Sequence, residues 1–252
     1  MKLVQRAPPP AIALPLLIFL TGCNRPVETR AEHAITDVLP RYLGPAEKYT
    51  ARVSGRPDAI YRGRLRSVHI EGTNVQMLPN LLVSRLVMDV KDVSVDRGNN
   101  TLQNVGETRF SARLTEAAIN GYVRRRETAP PDLAISLGAD GKATVTTRPE
   151  LLGFSTIPVS LRGTVRLQGD GKHLEFQPDK ASVDVGIGTI TSALPGFVAD
   201  HIASQVNPVA DLSTAPFPII AESVTVEQGA ATIMGYVPPG ELQKILAEVG
   251  NK

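Results

Sequence analysis

The chain has 252 residues, of which 42% are hydrophobic and 4% aromatic, with 27 basic residues, 25 acidic residues and no tryptophan. This length supports one sizeable hydrophobic core, and the scarcity of aromatic residues argues against a surface that stacks bases or sugars. The formal net charge is +2, and Lys2 and Arg6 lie in an N-terminal segment that we expect to be removed. Without these two residues the side-chain charges balance, so the overall charge does not support nucleic-acid binding.

Residues 1–22 are predicted to be a lipoprotein signal peptide. Lys2 and Arg6 precede an apolar run at residues 11–20, which is shorter than the roughly 20 residues that span a membrane. The run ends in Leu-Thr-Gly-Cys, which resembles a bacterial lipobox, and Cys23 is the single cysteine of the chain. We therefore expect acylation of Cys23 and a lipid-anchored protein of the bacterial cell envelope, facing the periplasm or the outer side of the cytoplasmic membrane. An ordinary signal peptide with a cysteine placed by chance is the alternative.

The first half of the mature chain is predicted to be a helix, several long strands and a second helix. Apolar residues recur at helical spacing over residues 27–43, and again over residues 115–126, where Thr115 is a plausible N-cap. The runs between these helices are rich in β-branched residues and longer than an average strand, which favours a large curved antiparallel sheet. The predicted strands of this half are residues 49–53, 65–75, 81–95 and 101–114.

The second half repeats this order, and one domain is predicted over residues 23–236, followed by a short helical tail at 237–252. Helices this few cannot cover both faces of so much sheet. The expected fold class is therefore α+β, with a long curved, mostly antiparallel sheet wrapped around a few amphipathic helices. The predicted elements are a hairpin at 134–147, strands at 159–167, 173–177 and 181–187, a helix at 192–206, a hairpin at 219–236 and an amphipathic segment at 241–249.

Motifs for catalysis or metal binding are not found, so we predict no enzyme activity, no cofactor and no metal. The four histidines are far apart in sequence, and the chain contains no nucleophile elbow, P-loop or zinc-protease motif. A triad assembled from distant residues stays open, because triads are geometric. Asp89, Asp92 and Asp96 are interpreted as solvated carboxylates on a strand, with a weak calcium site as the alternative.

The apolar faces of the second and third helices are the candidate ligand-binding surface. A curved sheet closed by helices encloses either a filled core or an apolar cavity, and a cavity gains about 25 cal/mol for each Å² of ligand hydrocarbon that it buries. The residues predicted to contact lipid are Leu194, Phe197, Val198, Ile202, Ile119 and Tyr122.

A group of arginines is the second candidate surface. Arg62, Arg64 and Arg66 alternate in sequence, so on a single strand all three would point to one face. We predict that they contact anionic lipid headgroups, with ordinary solvated strand residues as the alternative.

Several stretches of the chain resemble the LmeA-like phospholipid-binding family of bacterial envelope proteins. These stretches are residues 60–65 (IYRGRL), 86–96 (LVMDVKDVSVD), 110–122 (FSARLTEAAINGY), Asn207-Pro208 and residues 217–236. The resemblance implies a phospholipid partner and a sheet-and-helix fold related to the tubular lipid-binding proteins, and it carries over no catalytic residue. The predicted function is thus an anchored lipoprotein whose lipid-binding-like domain, residues 23–236, binds a phospholipid or a related lipid in an apolar cavity and carries or presents it. A structural or assembly lipoprotein that binds another envelope protein is the alternative.

Overall fold

The structure is a computed structural model that describes residues 25–96, 101–127, 129–130, 132–148, 158–184, 189–190 and 196–241. The predicted signal peptide, Cys23, Leu194 and most of the predicted C-terminal tail lie outside these residues. The described helices are α1 (Arg25–Leu43), α2 (Pro57–Tyr61), α3 (Glu116–Arg124) and α4 (Gly196–Val206), with a 3₁₀ turn at Leu212–Thr214. The strands are β1 (Lys48–Ser54), β2 (Arg64–Leu78), β3 (Leu81–Asp96), β4 (Thr101–Asn104), β5 (Thr108–Thr115), β6 (Ala134–Leu137), β7 (Ala143–Thr147), β8 (Val159–Leu167), β9 (His173–Asp184), β10 (Thr189–Ile190), β11 (Ala210–Asp211), β12 (Ile220–Glu227) and β13 (Ala230–Val237).

The described strands form two antiparallel sheets. The first sheet has the order β1-β2-β3-β5-β13-β12, with β4 paired to β3. The second has the order β10-β9-β8-β7-β6, with β11 paired to β9. Few helices accompany this curled antiparallel structure, so the predicted α+β class is confirmed.

The long β2–β3 hairpin keeps one face buried along its length by interrupting its alternation. Lys91 and Asp92 are both exposed between buried Val90 and Val93, where strict alternation would place a single residue. Asp92 has a φ of +50°, and Asn74 on β2 has the same left-handed value at a similar interruption. Short polar side chains tolerate this conformation better than other non-glycine residues. The hairpin can therefore bend while its apolar side chains stay on the inner face.

Two predicted strand boundaries are wrong. The expected strand at 101–114 is divided into β4 and β5, because the Gly106 N–H donates to the Lys91 carbonyl at 2.9 Å and a Cβ there would lie 2.8 Å from that oxygen. The expected strands at 173–177 and 181–187 are joined in β9. Pro178 is tolerated within β9 because it lies at a register shift beside Gly163, where the sheet ladder is already irregular.

The two sheets meet along β12. At its start, the Ala221 N–H donates to the Gly171 carbonyl in the β8–β9 turn at 2.8 Å. Just beyond its end, the Gly229 N–H donates to the Leu137 carbonyl of β6 at 3.0 Å. Buried side chains of both sheets belong to one hydrophobic core as a result.

Alanine at Gly171 is expected to lower the free energy of unfolding by about 2 kcal/mol, because the site combines backbone strain with a close approach. Gly171 has a φ of +65°, and a Cβ would lie 2.7 Å from the Ala221 carbonyl oxygen. Gly169, in the same turn, has no atom within 4 Å of the position that a Cβ would take, so Gly169→Ala is the matched control. Urea denaturation measures both variants, and equal stabilities would contradict this explanation of the junction.

A histidine on the outer face of the first sheet makes stability depend on pH. The Nδ1 atom of His69 lies 2.7 Å from Asp89 Oδ1, and its Nε2 atom lies 3.2 Å from Glu71 Oε1. The hydrogen bond with Asp89 is the main cause that raises the pKa of His69, and the hydrogen bond with Glu71 raises it further. Partial burial lowers the pKa but does not cancel these two contributions.

A raised pKa in the folded state means that protonation of His69 stabilises the fold. This contribution is complete below the unfolded value of 6.5 and is lost as the pH rises through the raised folded value. His69→Gln should therefore lower the denaturation midpoint at pH values just below 6.5 and have little effect once the pH lies above the raised folded value. A midpoint difference that is the same in both ranges would contradict the assignment.

Candidate functional site

An apolar space lies where the two sheets meet beneath α3 and the end of α4. Every side chain that lines it is apolar, and its walls come from both sheets and both helices. The remaining free space is about 10 Å³, which is room for about one water molecule. Representative lining residues are Leu114, Ile119, Val145, Phe176, Val206 and Ala231.

A second gap of similar size lies on the inner face of the first sheet. Met77, Phe110 and Leu212 are among its lining residues, which again are all apolar. Leu114 lines both gaps. The two gaps thus belong to one apolar interior that is closed in this structure.

Helix α3 is attached to the edge of the second sheet by polar side chains. Its N-terminus is capped by Thr115, whose Oγ1 accepts from the Ala118 N–H at 3.2 Å, as the sequence predicts. Asn120 donates through Nδ2 to the Ile135 carbonyl at 2.6 Å, and its Oδ1 accepts from the Ile135 N–H at 2.7 Å. The Leu137 N–H donates to Glu116 at 2.8 Å. Because β6 is an edge strand, these bonds satisfy backbone groups that would otherwise be left unpaired.

A second asparagine attaches the end of α4 in the same way. The Phe176 N–H donates to Asn207 Oδ1 at 2.7 Å, and Asn207 Nδ2 donates to the Phe176 carbonyl at 3.0 Å. We call Asn120 with Ile135 and Asn207 with Phe176 the asparagine clamps. The side chains of Ile135 and Phe176 line the first gap, so both clamps lie at the margin of the apolar interior.

Arg126 links the two helices to each other. Its Nη1 donates to the Val206 carbonyl at 2.9 Å, and its Nη2 donates to the Pro208 carbonyl. Its guanidinium lies 4.9 Å from the centroid of the Tyr122 ring, within the range of a cation–π contact. Arg126 therefore helps to fix the separation of α3 and the end of α4.

The structure places part of the predicted lipid-contact set in or near this interior. Ile119 lines the first gap, and Ile202 is fully buried on α4 without lining either gap. Tyr122 is half-buried beside Arg126. Leu194 and the side chains of Phe197 and Val198 lie outside the described residues. Lipid contact by all six residues stays a prediction.

Asn120, Asn207 and Arg126 are functional candidates that the sequence analysis missed. An asparagine inside a helix is a weak signal, since it is a poor helix former and needs a tertiary reason to be there. The sequence indicates Asn207 only as part of an Asn-Pro helix terminator. Their partners are backbone atoms 15 to 82 residues away in sequence, which no local pattern identifies.

The prediction that three arginines share one strand face is wrong for Arg62. Arg64 and Arg66 are exposed on β2, but Arg62 caps α2, which begins at Pro57. Gly63, with a φ of +78°, turns the chain from α2 into the strand. All three arginines are exposed at the same end of the hairpin, without sharing one strand.

Within the described part of the chain, no group of three histidine, cysteine or acidic residues could hold a metal ion. Asp89 pairs with His69, and Asp92 is exposed to solvent. None of the described helices is both long and apolar enough to cross a membrane.

Comparison of the sequence with protein families finds a match over most of the chain. The family described as LmeA-like phospholipid-binding matches residues 23–235, from just before α1 into β13. Comparisons with curated proteins and with solved structures find no match. The family match agrees with the resemblance noted in the sequence and extends over most of the chain. The chain therefore belongs to the LmeA-like phospholipid-binding family.

Proposed function

We propose that this protein is a membrane-anchored envelope lipoprotein that binds a phospholipid or a related lipid in its apolar interior and carries or presents it. The observation that carries the proposal is the wholly apolar space beneath α3 and α4, which reaches both sheets. Membership of a phospholipid-binding family supports the class of ligand.

Hydrocarbon burial supplies the driving force for such binding. Each buried CH₂ of an acyl chain contributes about 0.8 kcal/mol, so a chain placed between the sheets and helices would outweigh the loss of several polar contacts. The closed interior has room for about one water molecule in each gap, so α3 and α4 must move away from the sheets to admit a lipid. The asparagine clamps and Arg126 are the contacts that such a movement would break.

The proposed anchor is acylated Cys23. Its support is the lipobox-like sequence at the end of a short apolar run, together with the absence of any other cysteine from the chain. Lipoproteins carrying several acyl chains stay attached to the bilayer, whereas a single chain gives only marginal binding. The protein would then act at a bacterial envelope membrane.

A structural or assembly lipoprotein is the second candidate function. The observation in its favour is the tight interior, since the gaps described above have only the size of a water molecule, as in an ordinary protein core. Such a protein would bind a partner by its surface and would need no space for lipid.

Filling the gap beneath α3 and α4 is expected to reduce lipid binding severalfold. Ala231 lines this gap, and Ala231→Leu would occupy the space that an acyl chain needs. Ala51 is also buried, on β1, but lines neither gap, so Ala51→Leu is a matched control with a similar overpacking cost of about 1–3 kcal/mol. Native mass spectrometry of the purified protein, before and after incubation with phospholipid, measures the lipid bound by each variant.

The same experiment separates the two candidate functions. Lipid on the wild type and on Ala51→Leu, with little on Ala231→Leu, supports binding in the interior. Equal lipid on all three places the site elsewhere. A lipid-free mass for the wild type under both conditions favours the structural lipoprotein.

A further inference from the structure

We propose that the end of the molecule formed by residues 56–66, which we call the basic end, docks on the anionic surface of the membrane that holds the anchor. This inference rests on the anchoring part of the proposed function and adds an orientation to it. The partner is a bilayer with acidic headgroups, and the docking residues are Tyr61, Arg62, Arg64 and Arg66.

The N-terminal end of α1 lies toward the basic end. Tyr49, near the start of β1, donates its hydroxyl to the Gly44 carbonyl just after α1, at 2.8 Å. At the other end of β1, the Val53 N–H donates to Glu32 Oε1 at 3.2 Å. Helix α1 therefore runs back along β1, and its earlier residues approach the point where β1 leads into α2. Contacts between α1 and α2 agree with this direction.

Chain connectivity then places the anchor at the same end. Arg25 precedes Glu32 by seven residues, which is about 10 Å of helix. Cys23 precedes Arg25 by two residues, and two extended residues span at most about 7 Å. Acyl chains on Cys23 would thus enter the bilayer on the side of the molecule that carries α2.

The basic end has the charge that an anionic surface attracts. Residues 56–66 contain four arginines and one acidic residue, Asp58, which pairs with Arg56 at 3.2 Å. Arg62, Arg64 and Arg66 are exposed and form no ion pair among the described residues. Asp92 lies across from Arg66 in the hairpin register without forming a salt bridge to it.

Arginines elsewhere on the first sheet are arranged differently. Arg109 pairs with Glu107 at 2.8 Å and with Glu222 at 3.1 Å, and Arg113 pairs with Glu227 at 2.8 Å. These guanidinium groups already form ion pairs with carboxylates, so contact with a lipid phosphate would stabilise them less. The contrast within one sheet favours the basic end as the surface that binds anions.

An exposed aromatic side chain completes the surface. Tyr61 is 65% exposed at the end of α2, while its neighbour Ile60 is buried and holds the short helix against the core. Tyrosine with an apolar ring and a polar hydroxyl suits the headgroup region of a bilayer. The Tyr61 ring would enter that region while the arginines contact phosphate groups.

The β2–β3 hairpin carries the rest of the domain away from the membrane. Strand β2 runs for 15 residues from Arg64, which gives a length of about 45–50 Å. Leu82, 43% exposed on β3, lies near the opposite end of this hairpin. The proposed orientation places Tyr61 at the bilayer and Leu82 in solvent.

Tryptophan reporters test this orientation directly, because the chain contains no tryptophan of its own. Tyr61→Trp and Leu82→Trp are made separately in the full acylated protein, which is reconstituted into vesicles of phosphatidylcholine with or without phosphatidylglycerol. We expect the Tyr61→Trp emission to shift to the blue and to be quenched by brominated lipid when phosphatidylglycerol is present. We expect the Leu82→Trp emission to stay red and unquenched. Equal quenching of both reporters, or quenching of Leu82→Trp alone, would overturn the proposal.

The arginines are tested on the Tyr61→Trp background. Replacing Arg62, Arg64 and Arg66 with glutamine should abolish the response to phosphatidylglycerol, since each basic residue near an anionic surface favours docking about fivefold. The control replaces exposed Lys48, Arg125 and Arg166 with glutamine, which removes the same charge elsewhere, and should leave the response intact. Loss of the response in both triple variants would mean that only net charge matters, which would overturn the assignment to the basic end.

These readouts are independent of lipid in the interior. A protein that carries no lipid in native mass spectrometry but shows the Tyr61→Trp response refutes interior binding and keeps the docking surface. A protein that loads lipid but shows no response to phosphatidylglycerol refutes the docking surface and keeps interior binding. Failure to remain on vesicles at all identifies a failed anchor.

Discussion

Exchange of Cys23 for serine should transfer the protein from the membrane fraction to the soluble fraction, or leave it as an unprocessed precursor. The physical reason is that acyl chains on Cys23 supply the main attachment, at about 0.8 kcal/mol for each buried CH₂. The arginines of the basic end would contribute only a salt-sensitive remainder, which is screened over about 8 Å at physiological ionic strength. The measurement is fractionation of cells that express each form, with the intact mass of the purified protein.

The control for this experiment is Asn24→Gln, which changes the next residue and keeps the cysteine. It should fractionate with the wild type and carry the mass of the acyl chains. A processed Cys23→Ser protein that stays in the membrane fraction as the wild type does would refute the anchor. Residual binding that is removed by salt is the behaviour expected of the basic end alone.

Removal of either asparagine clamp should lower the free energy of unfolding by about 3 kcal/mol. Each clamp makes two hydrogen bonds to one backbone unit, and alanine would leave a partly buried N–H and a carbonyl unpaired, at about 1–3 kcal/mol for each group. Asn120→Ala and Asn207→Ala test this by urea denaturation. Gln103→Ala, an exposed amide on β4, is the control and should change stability by about 0.5 kcal/mol or less.

The clamp variants also connect stability with the proposed function. If α3 and α4 must leave the sheets to admit lipid, weaker clamps lower the energy of the open form. Exchange of phospholipid between vesicles and protein should then be faster in Asn207→Ala than in the wild type, under conditions where both are folded. Loss of stability with an unchanged exchange rate would mean that lipid enters by another route.

Water-sized gaps in the interior are consistent with a protein that opens for its ligand. A permanently open apolar cavity would lose dispersion contacts with no compensation, and the T4 lysozyme series shows a cost of about 24 cal/mol for each Å³. A closed state avoids this cost when no lipid is bound. On the proposed function, the polar contacts of the clamps and Arg126 would determine how readily the closed state opens, because these contacts are few and directional.

Alternation and helical spacing were sufficient to predict most of the elements. The strand at Val159–Leu167 has the predicted bounds, and α3 begins after its predicted N-cap. These features depend on residues that are neighbours in sequence, such as Thr115 and Ala118. The apolar spacing also placed Ile119 on the face that lines the interior.

Errors arose where a distant part of the chain imposed the local conformation. Gly106 divides one predicted strand because it faces Lys91 across the sheet. Arg62 alternates with Arg64 and Arg66, so the pattern predicts that all three lie on one strand. Arg62 instead ends the short helix α2, which is held in place by burial of Ile60. In both places the local pattern was ambiguous, and contacts made after folding decided the outcome.

By itself, the sequence determined the family, through the stretches that match it, and the fold class and most of the helices and strands, which follow from the order and spacing of apolar residues. Tertiary structure alone decided that the strands form two sheets, that Asn120 and Asn207 clamp the helices over the interior, and that the first turns of α1 lie toward the end of β1. Each of these depends on hydrogen bonds between groups far apart in the chain, such as Glu32 with Val53 or Asn207 with Phe176. Such pairings arise only when the chain has closed around its core, and for that reason no local pattern of residue types encodes them.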